Sequence, residues 1–302
     1  MGNILDGTAL AEKFRDEIKK EIAALKEKGV SISLAAVQVG ENAASRMYIK
    51  KQKEGCEEMG ISYTLHELPA ETTQAELLVF INKLNNDGSV TGIILQMPVP
   101  EEIDARAVQR TIAPDKDVEG LHPANMGRLV FGEIDLAPCT ALGAIELLKS
   151  IGEPLKGKDI TVVGHSEIVG KPIALILLAS QMESATPTVC HIATRDLAAH
   201  TRNADVVIVA AGKPGLIRGD MVKDGVTLID VGINRVPMLD ENGQPVLSKK
   251  GKPKKKTVGD AVFEEIEPKA SYISPVPGGV GPLTVVMLMR NTVTCAKRQQ
   301  NL

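Results

Sequence analysis

Tryptophan is absent from this 302-residue chain, which carries only three tyrosines and four phenylalanines. The core therefore has to be assembled from aliphatic side chains. Cysteine is also scarce: Cys56, Cys139, Cys190 and Cys295 lie far apart and form no C-x-x-C pair. That spacing excludes a disulfide framework or a zinc site, and predicts reduced, mostly buried thiols in a cytoplasmic protein. No apolar run reaches the ~20 residues of a membrane span. The opening residues Met1 to Gly7 lack the charged-then-apolar order of a secretory signal. A net charge of −3 exerts no general pull on nucleic acid or anionic membrane. Compositional bias is confined to Lys249, Lys250, Lys252, Lys254, Lys255 and Lys256, which read as a solvated loop. What remains is an ordinary globular composition, 43% hydrophobic and 24% charged, at a length that predicts roughly two domains.

The pattern that is present alternates strand and helix. Leu10, Phe14, Ile18, Ile22 and Leu25 fall on one face of a helix predicted over 8–28, closed by Gly29. Strands are predicted over 33–39, 61–65 and 90–95, with helices over 45–59 and 73–85 between them. The second half repeats the pattern, with strands over 159–163, 188–192, 205–209 and 227–231. Helices over 140–150, 168–181 and 196–203 go with them. A polar excursion is predicted over 236–256 and a closing helix over 283–297. Such alternation predicts βαβ units and a mainly parallel sheet, with ligands outside the carboxyl ends of the strands.

One corner stands out. Ile160 to Val163 is a β-branched apolar run, Gly164 allows a turn, Ser166 can cap the next helix, and Gly170-Lys171-Pro172 follows. A helix opening off a strand end favours a diphosphate, although the glycines at 164 and 170 do not follow G-x-G-x-x-G. Elsewhere, Gln96 closes an apolar strand at the ligand rim. Tyr48, Lys51 and Gln52 share a helix whose bland reading is a solvated surface. Asp115, Asp117 and Glu119 mimic the start of a calcium loop, but its twelfth position is Met126 and Pro123 interrupts it. No G-x-S-x-G, no Cys–His dyad and no His pair at i, i+4 is present. Pro275, Pro277, Gly278, Gly279, Gly281 and Pro282 form a stiff turn predicted to offer backbone N–H groups to a planar ligand, with Thr284 heading the last helix.

Taken jointly and in order, these stretches resemble the methylenetetrahydrofolate dehydrogenase/methenyltetrahydrofolate cyclohydrolase family. The matches run through Tyr48 with Cys56-Glu57-Glu58-Met59-Gly60, Gly92 to Pro98, Pro114 to Gly120 with His122-Pro123, and Pro138-Cys139-Thr140. They continue through Val162 to Pro172, Asp230 to Asn234, and Pro275 to Thr284. The resemblance implies an α/β fold of two domains with a cleft between them. An N-terminal α/β folate-binding domain with a mainly parallel sheet would comprise 1–139 and 283–302, and a Rossmann-like NAD(P)-binding domain 140–282. It also implies a homodimer, no metal, and a hydride passed from a methylene-bridged tetrahydrofolate to NAD or NADP. Hydrolysis of the methenyl product follows in one-carbon metabolism. Tyr48, Gln52, Gln96 and Glu119 take the catalytic positions; Tyr48, Gln96, Glu119, Pro277 and Gly278 the folate-binding ones. Gly164, His165, Ser166, Val169 and Gly170 are implied on the cofactor, as are Ile192, Gly212, Gly232, Ile233 and Thr284.

Two positions depart from that resemblance. Gln52 stands where the family carries Lys, and a neutral amide supplies neither a titrating proton nor positive charge. Lys51, the one stand-in, lies about 100° around the helix. Glu119 stands where an Asp grips the pterin ring. The sequence thus predicts hydride transfer with weak or lost hydrolysis; the fully bifunctional, NADP-dependent enzyme and a non-catalytic folate-binding paralogue are the alternatives. His165 replaces an Arg and Ile192 a Ser at the cofactor's 2′-phosphate, which predicts NAD in preference to NADP.

Overall fold

The computed structural model describes residues 2–42, 45–240, 244–247 and 251–302. Lys249 and Lys250 of the lysine cluster lie outside the described residues. In chain order the first half runs β1 (Asn3–Ile4), α1 (Gly7–Glu27), β2 (Ser33–Val39), α2 (Arg46–Met59), β3 (Ser62–Leu68), α3 (Gln74–Asn86) and β4 (Gly92–Leu95). Then come α4 (Ala105–Thr111), α5 (Pro123–Val130), α6 (Cys139–Lys149), β5 (Asp159–Val163), α7 (Gly170–Leu177) and β6 (Thr186–Cys190). The remainder is α8 (Leu197–Asn203), β7 (Val206–Val209), β8 (Thr227–Asp230), β9 (Asn234–Pro237), β10 (Lys255–Val258), α9 (Phe263–Ile266), β11 (Tyr272–Ile273) and α10 (Val280–Gln299).

The chain divides into two compact units. One joins Met1–Leu10 to Gly143–Leu283; the other joins Ala11–Leu142 to Thr284–Leu302. In the second, β2 is flanked by β3 and β4 in a three-stranded parallel sheet, Leu34 opposite Gly92 and Val37 opposite Leu95. β2 is buried on both faces, as its apolar run over 34–37 requires, and the buried Gln38 amide donates to the Gly40 carbonyl at 2.7 Å. Its core packs Val37, Val39, Leu77, Ile81, Ile93 and Leu95 without an aromatic ring among the buried members. α3 begins with a reciprocal cap in which Thr73 Oγ1 accepts from the Glu76 N–H and the Glu76 carboxylate accepts from the Thr73 N–H.

The first unit holds a six-stranded sheet ordered β1-β11-β8-β7-β5-β6, parallel at every pairing. The chain lays β6 on one side of β5 and then β7 on the other, so strand order reverses at β5. Ligands of open parallel sheets bind at that reversal, beyond the carboxyl ends. The four cysteines are free and buried, as expected. Among the described residues no helix is long and apolar enough to cross a membrane.

Several expectations shift. The helix predicted over 168–181 is only Gly170–Leu177, because 164–169 form a turn first. Ser166 does not cap it: its Oγ accepts from the Val169 N–H at 3.2 Å inside that turn. β6 ends at Cys190, leaving His191 and Ile192 beyond the strand, with Ile192 fully exposed. The polar excursion contributes an antiparallel pair, β9 with β10, which takes in Lys255 and Lys256. α10 starts at Val280, since Pro282 is tolerated in a first turn; Thr284 therefore sits inside the helix, in the same unit as Tyr48.

Candidate active site

On α2, Ile49, Gln52, Cys56 and Met59 form the buried face, at helical spacing. Gln52 is thus a polar group placed in an apolar stripe, 6% exposed, and it has to be hydrogen-bonded there. Gln96 Nε2, at the end of β4, donates to Gln52 Oε1 at 2.7 Å. The Tyr63 hydroxyl, on β3, donates to the same oxygen at 3.3 Å. Gln96 is itself buried and anchored, its N–H donating to the Val37 carbonyl at 2.8 Å. Tyr48 lies one turn before Gln52 with its ring half exposed. Lys51 is exposed, on a different side of the helix from buried Gln52. Its neighbours Lys50 and Lys53 pair with Glu54 and Glu57 along the solvent face. Tyr63 was not among the sequence-derived candidates; nothing local distinguishes it on a half-exposed strand.

Glu119 is brought to the same rim by the segment that runs beside β4. Asp117 bridges to Ile93, and a Cβ on Gly92 would stand 2.2 Å from Val118 Cγ1, so only glycine admits that approach. Asn291 of α10 fixes the segment by donating to the Val118 and Ala137 carbonyls at 2.8 and 2.9 Å. Burial, and then the charge of Asp117, push the Glu119 carboxyl up to about 8, so it is largely protonated at neutral pH. Asp117 is also raised by burial, although it accepts from the His122 N–H and the Asn125 amide. The neighbouring Cys139 thiol is raised chiefly by burial and next by Glu119, which leaves it inert.

In the other unit the strand-order reversal gathers three loops. Gly164 after β5 has φ +119°, and a Cβ there would lie 2.2 Å from the Ala210 carbonyl oxygen. Gly170 likewise packs against the Gly164 carbonyl. Gly212, after β7, is left-handed at φ +65° with open space around it, where a ligand can approach backbone closely. The Gly232 N–H donates to Asp230 Oδ1 at 2.9 Å, and Ile233 beside it is exposed. A buried carboxylate sets these loops: Asp260 Oδ2 accepts from the Ala211 and Gly212 N–H groups at 2.6 and 2.8 Å, and Oδ1 from the Asn234 amide at 2.8 Å. Asp230 accepts from the Gly232, Asp260 and Ala261 N–H groups; burial nevertheless pushes it up to about 6. The rings of His165 and His191 stack at 4.7 Å and 19° at the ends of β5 and β6. Neither the Asp260 clasp nor the stack was anticipated, because both join residues distant in sequence.

The Pro277–Gly278 turn is held from both sides. The Gly279 N–H donates to the Pro275 carbonyl, and the Gly278 carbonyl accepts from the Gly7 N–H at the start of α1. A Cβ on Gly7 would collide with the Gly279 carbonyl. Pro277 and Gly278 belong to the unit of Gly164; Thr284, whose hydroxyl meets that of Thr140 at 3.4 Å, belongs to the unit of Gln52.

A parallel sheet with glycine-rich loops at its switch point defines a dinucleotide-binding α/β protein, here joined to a second parallel unit with a buried polar cluster at its rim. Comparison narrows this. Residues 138–300 match the family model "Tetrahydrofolate dehydrogenase/cyclohydrolase, NAD(P)-binding domain", and residues 5–119 match "Tetrahydrofolate dehydrogenase/cyclohydrolase, catalytic domain". The chain is 48% identical over 294 residues to the bifunctional protein FolD of Nautilia profundicola, covering 97% of both. The crystal structure of the Campylobacter jejuni bifunctional enzyme FolD superposes with TM-score 0.89 at 46% identity, covering 99% of this chain and 100% of that one. The Trypanosoma brucei enzyme, solved with NADP and an inhibitor, gives TM-score 0.88 at 36% identity over 100% and 99%. The chain belongs to the tetrahydrofolate dehydrogenase/cyclohydrolase family.

Proposed function

We propose that the chain is a bifunctional, NADP-dependent enzyme that oxidises 5,10-methylenetetrahydrofolate to the methenyl form and hydrolyses that to 10-formyltetrahydrofolate. The observation that carries this is end-to-end correspondence, over 97% of both chains, with a relative called bifunctional. When bound, the dinucleotide supplies the hydride acceptor. The residues present fit such a group: the parallel switch point gathers the glycine-bearing loops after its strands, and the space beside left-handed Gly212 is open, so a dinucleotide could come close there. Gly164, His165, Ser166, Val169 and Gly170 would line the first loop, with Ile192, Gly232 and Ile233 beyond the neighbouring strands. Thr284 would complete the nicotinamide end, and Pro277 and Gly278 the pterin side. Tyr48, Gln52, Gln96 and Glu119 would hold the folate. Glu119 in its protonated state offers both a donor and an acceptor to a pterin ring. The chain's work in hydride transfer is to orient donor and acceptor carbons and keep water out.

A second reading, dehydrogenase with slow hydrolysis and a preference for NAD, rests on specific observations. Gln52 is neutral and buried, and Lys51 points away from it. If His165 and Ile192 lie at the 2′-phosphate as the resemblance implies, an imidazole and an exposed isoleucine would take the places of the family's arginine and serine. Incubating the chain with methylenetetrahydrofolate and either nucleotide, and following reduced nicotinamide and the methenyl product separately, decides between them. Accumulating methenyl product favours the second reading. We also infer a homodimer, which sedimentation equilibrium would register as twice the 32.2 kDa chain mass.

A further inference from the structure

An amide oxygen has two lone pairs, and both on Gln52 are engaged, one by Gln96 Nε2 and one by the Tyr63 hydroxyl. With two donors converging on it, the amide plane has one orientation. Its nitrogen is left over. Among the described residues no hydrogen bond from Gln52 Nε2 is present. Among the described residues, the buried polar side-chain atoms without a partner lie elsewhere, at Gln74 Nε2 and Asn291 Oδ1. The Gln52 N–H2 group therefore reaches accessible surface next to Gln96 and half-exposed Tyr48.

We propose that Tyr63 is a positioning residue: together with Gln96 it clamps the Gln52 carbonyl, so that the amide N–H2 is presented to the folate as a fixed, neutral hydrogen-bond donor in place of an ammonium. This rests on the bifunctional reading above, and it accounts for hydrolysis without a lysine. An amide does not surrender its proton. It lowers the energy of a lone pair on the reacting molecule by orientation alone, and the protons of hydrolysis are exchanged with water. Preorganisation decides how well such a donor works, because a freely rotating amide presents its oxygen as often as its nitrogen. Tyr63 suits the task because burial raises its phenol, keeping it a neutral donor throughout the working pH range. Gln96 alone would leave rotation about its single hydrogen bond.

The bland rival is that Tyr63 merely satisfies its own hydroxyl in a half-buried place. A double-mutant cycle on the full chain separates the two. Tyr63→Phe is made in the natural background and in Gln52→Lys and Gln52→Met backgrounds, neither of which retains a carbonyl to clamp. In the natural background Tyr63→Phe is expected to lower kcat for methenyl hydrolysis about three- to tenfold, the size of one net hydrogen bond. KM for the folate and the dehydrogenase rate should change less than twofold. In either carbonyl-free background the same substitution should leave hydrolysis unchanged. Equal losses in all backgrounds, or parallel losses of both activities, overturn the proposal while leaving the functional reading intact. An unaltered chain that reduces nicotinamide but shows no hydrolysis overturns both.

Discussion

Asp260 carries no expected chemistry, yet it ties together the loops of the proposed cofactor site, and replacing it by asparagine tests that arrangement. The side chain is fully buried and every partner is a donor: the Ala211 and Gly212 N–H groups at 2.6 and 2.8 Å, and the Asn234 amide at 2.8 Å. Asparagine keeps the shape but turns one acceptor into a donor, which must then face another donor whichever way the amide lies. The less costly orientation keeps the two backbone bonds and sets its N–H2 against Asn234, which already donates to the Gly259 carbonyl. One charge-assisted hydrogen bond is lost, a cost of about 1.5–3 kcal/mol. Asp260→Ala removes all three bonds and leaves two backbone N–H groups unpaired, at about 1–3 kcal/mol each. Urea unfolding read by circular dichroism should rank natural chain, Asn and Ala in descending midpoint. KM for the dinucleotide should rise severalfold in Asp260→Asn with kcat nearly constant, because Asn234 and the Gly232–Ile233 loop just before it lose their tie to Asp260 while the folate side is untouched. An asparagine variant with unchanged midpoint and unchanged KM would refute the clasp.

The glycines at the same rim offer a paired comparison. Gly164→Ala meets both a positive φ and an oxygen 2.2 Å from the new Cβ, and should lower stability in urea by at least about 3 kcal/mol. Gly212→Ala, also left-handed but with open space around it, should cost only about 1 kcal/mol of folding energy. Glu119 sets a pH signature. Its folded value near 8 lies above its ordinary 4.5, so its contribution to stability is complete below 4.5 and is lost as pH rises through 8. In Glu119→Gln the fall in urea midpoint between pH 6 and pH 9 should flatten; an unchanged slope would assign the dependence to another group.

Much of the frame is legible in the chain. α1, β2, α2 and β5 appear within a residue or so of where periodicity sets them, because each buries a continuous stripe or run. The element boundaries at the loops after β5 and β6 are less legible. The 164–169 turn has no period of its own, and β6 is an exposed edge strand whose last residue is set by pairing with Val163. α4 and α5 are too short for a stripe to emerge, though Asp104, whose carboxylate accepts from Arg106 and Ala107, and Pro123 at a first turn do mark their starts. The β9–β10 pair lies in a stretch too polar to read as sheet. Of the site, Gln52 could be placed from its spacing with Ile49, Cys56 and Met59 alone. Its two donors could not, since Tyr63 and Gln96 meet it only when β3 and β4 flank β2. The same holds for Asp260, a lone acid in sequence that becomes a hub in three dimensions.

The proposed function requires one chain to perform both steps on a folate. The most direct measurement is a single incubation of the full chain with 5,10-methylenetetrahydrofolate and NADP, following reduced nicotinamide, methenyl and 10-formyl forms together. Reduced nicotinamide matched by 10-formyltetrahydrofolate, with little methenyl accumulating, is the expected result. Methenyl product accumulating without 10-formyltetrahydrofolate, or no reduction of NADP, would contradict it.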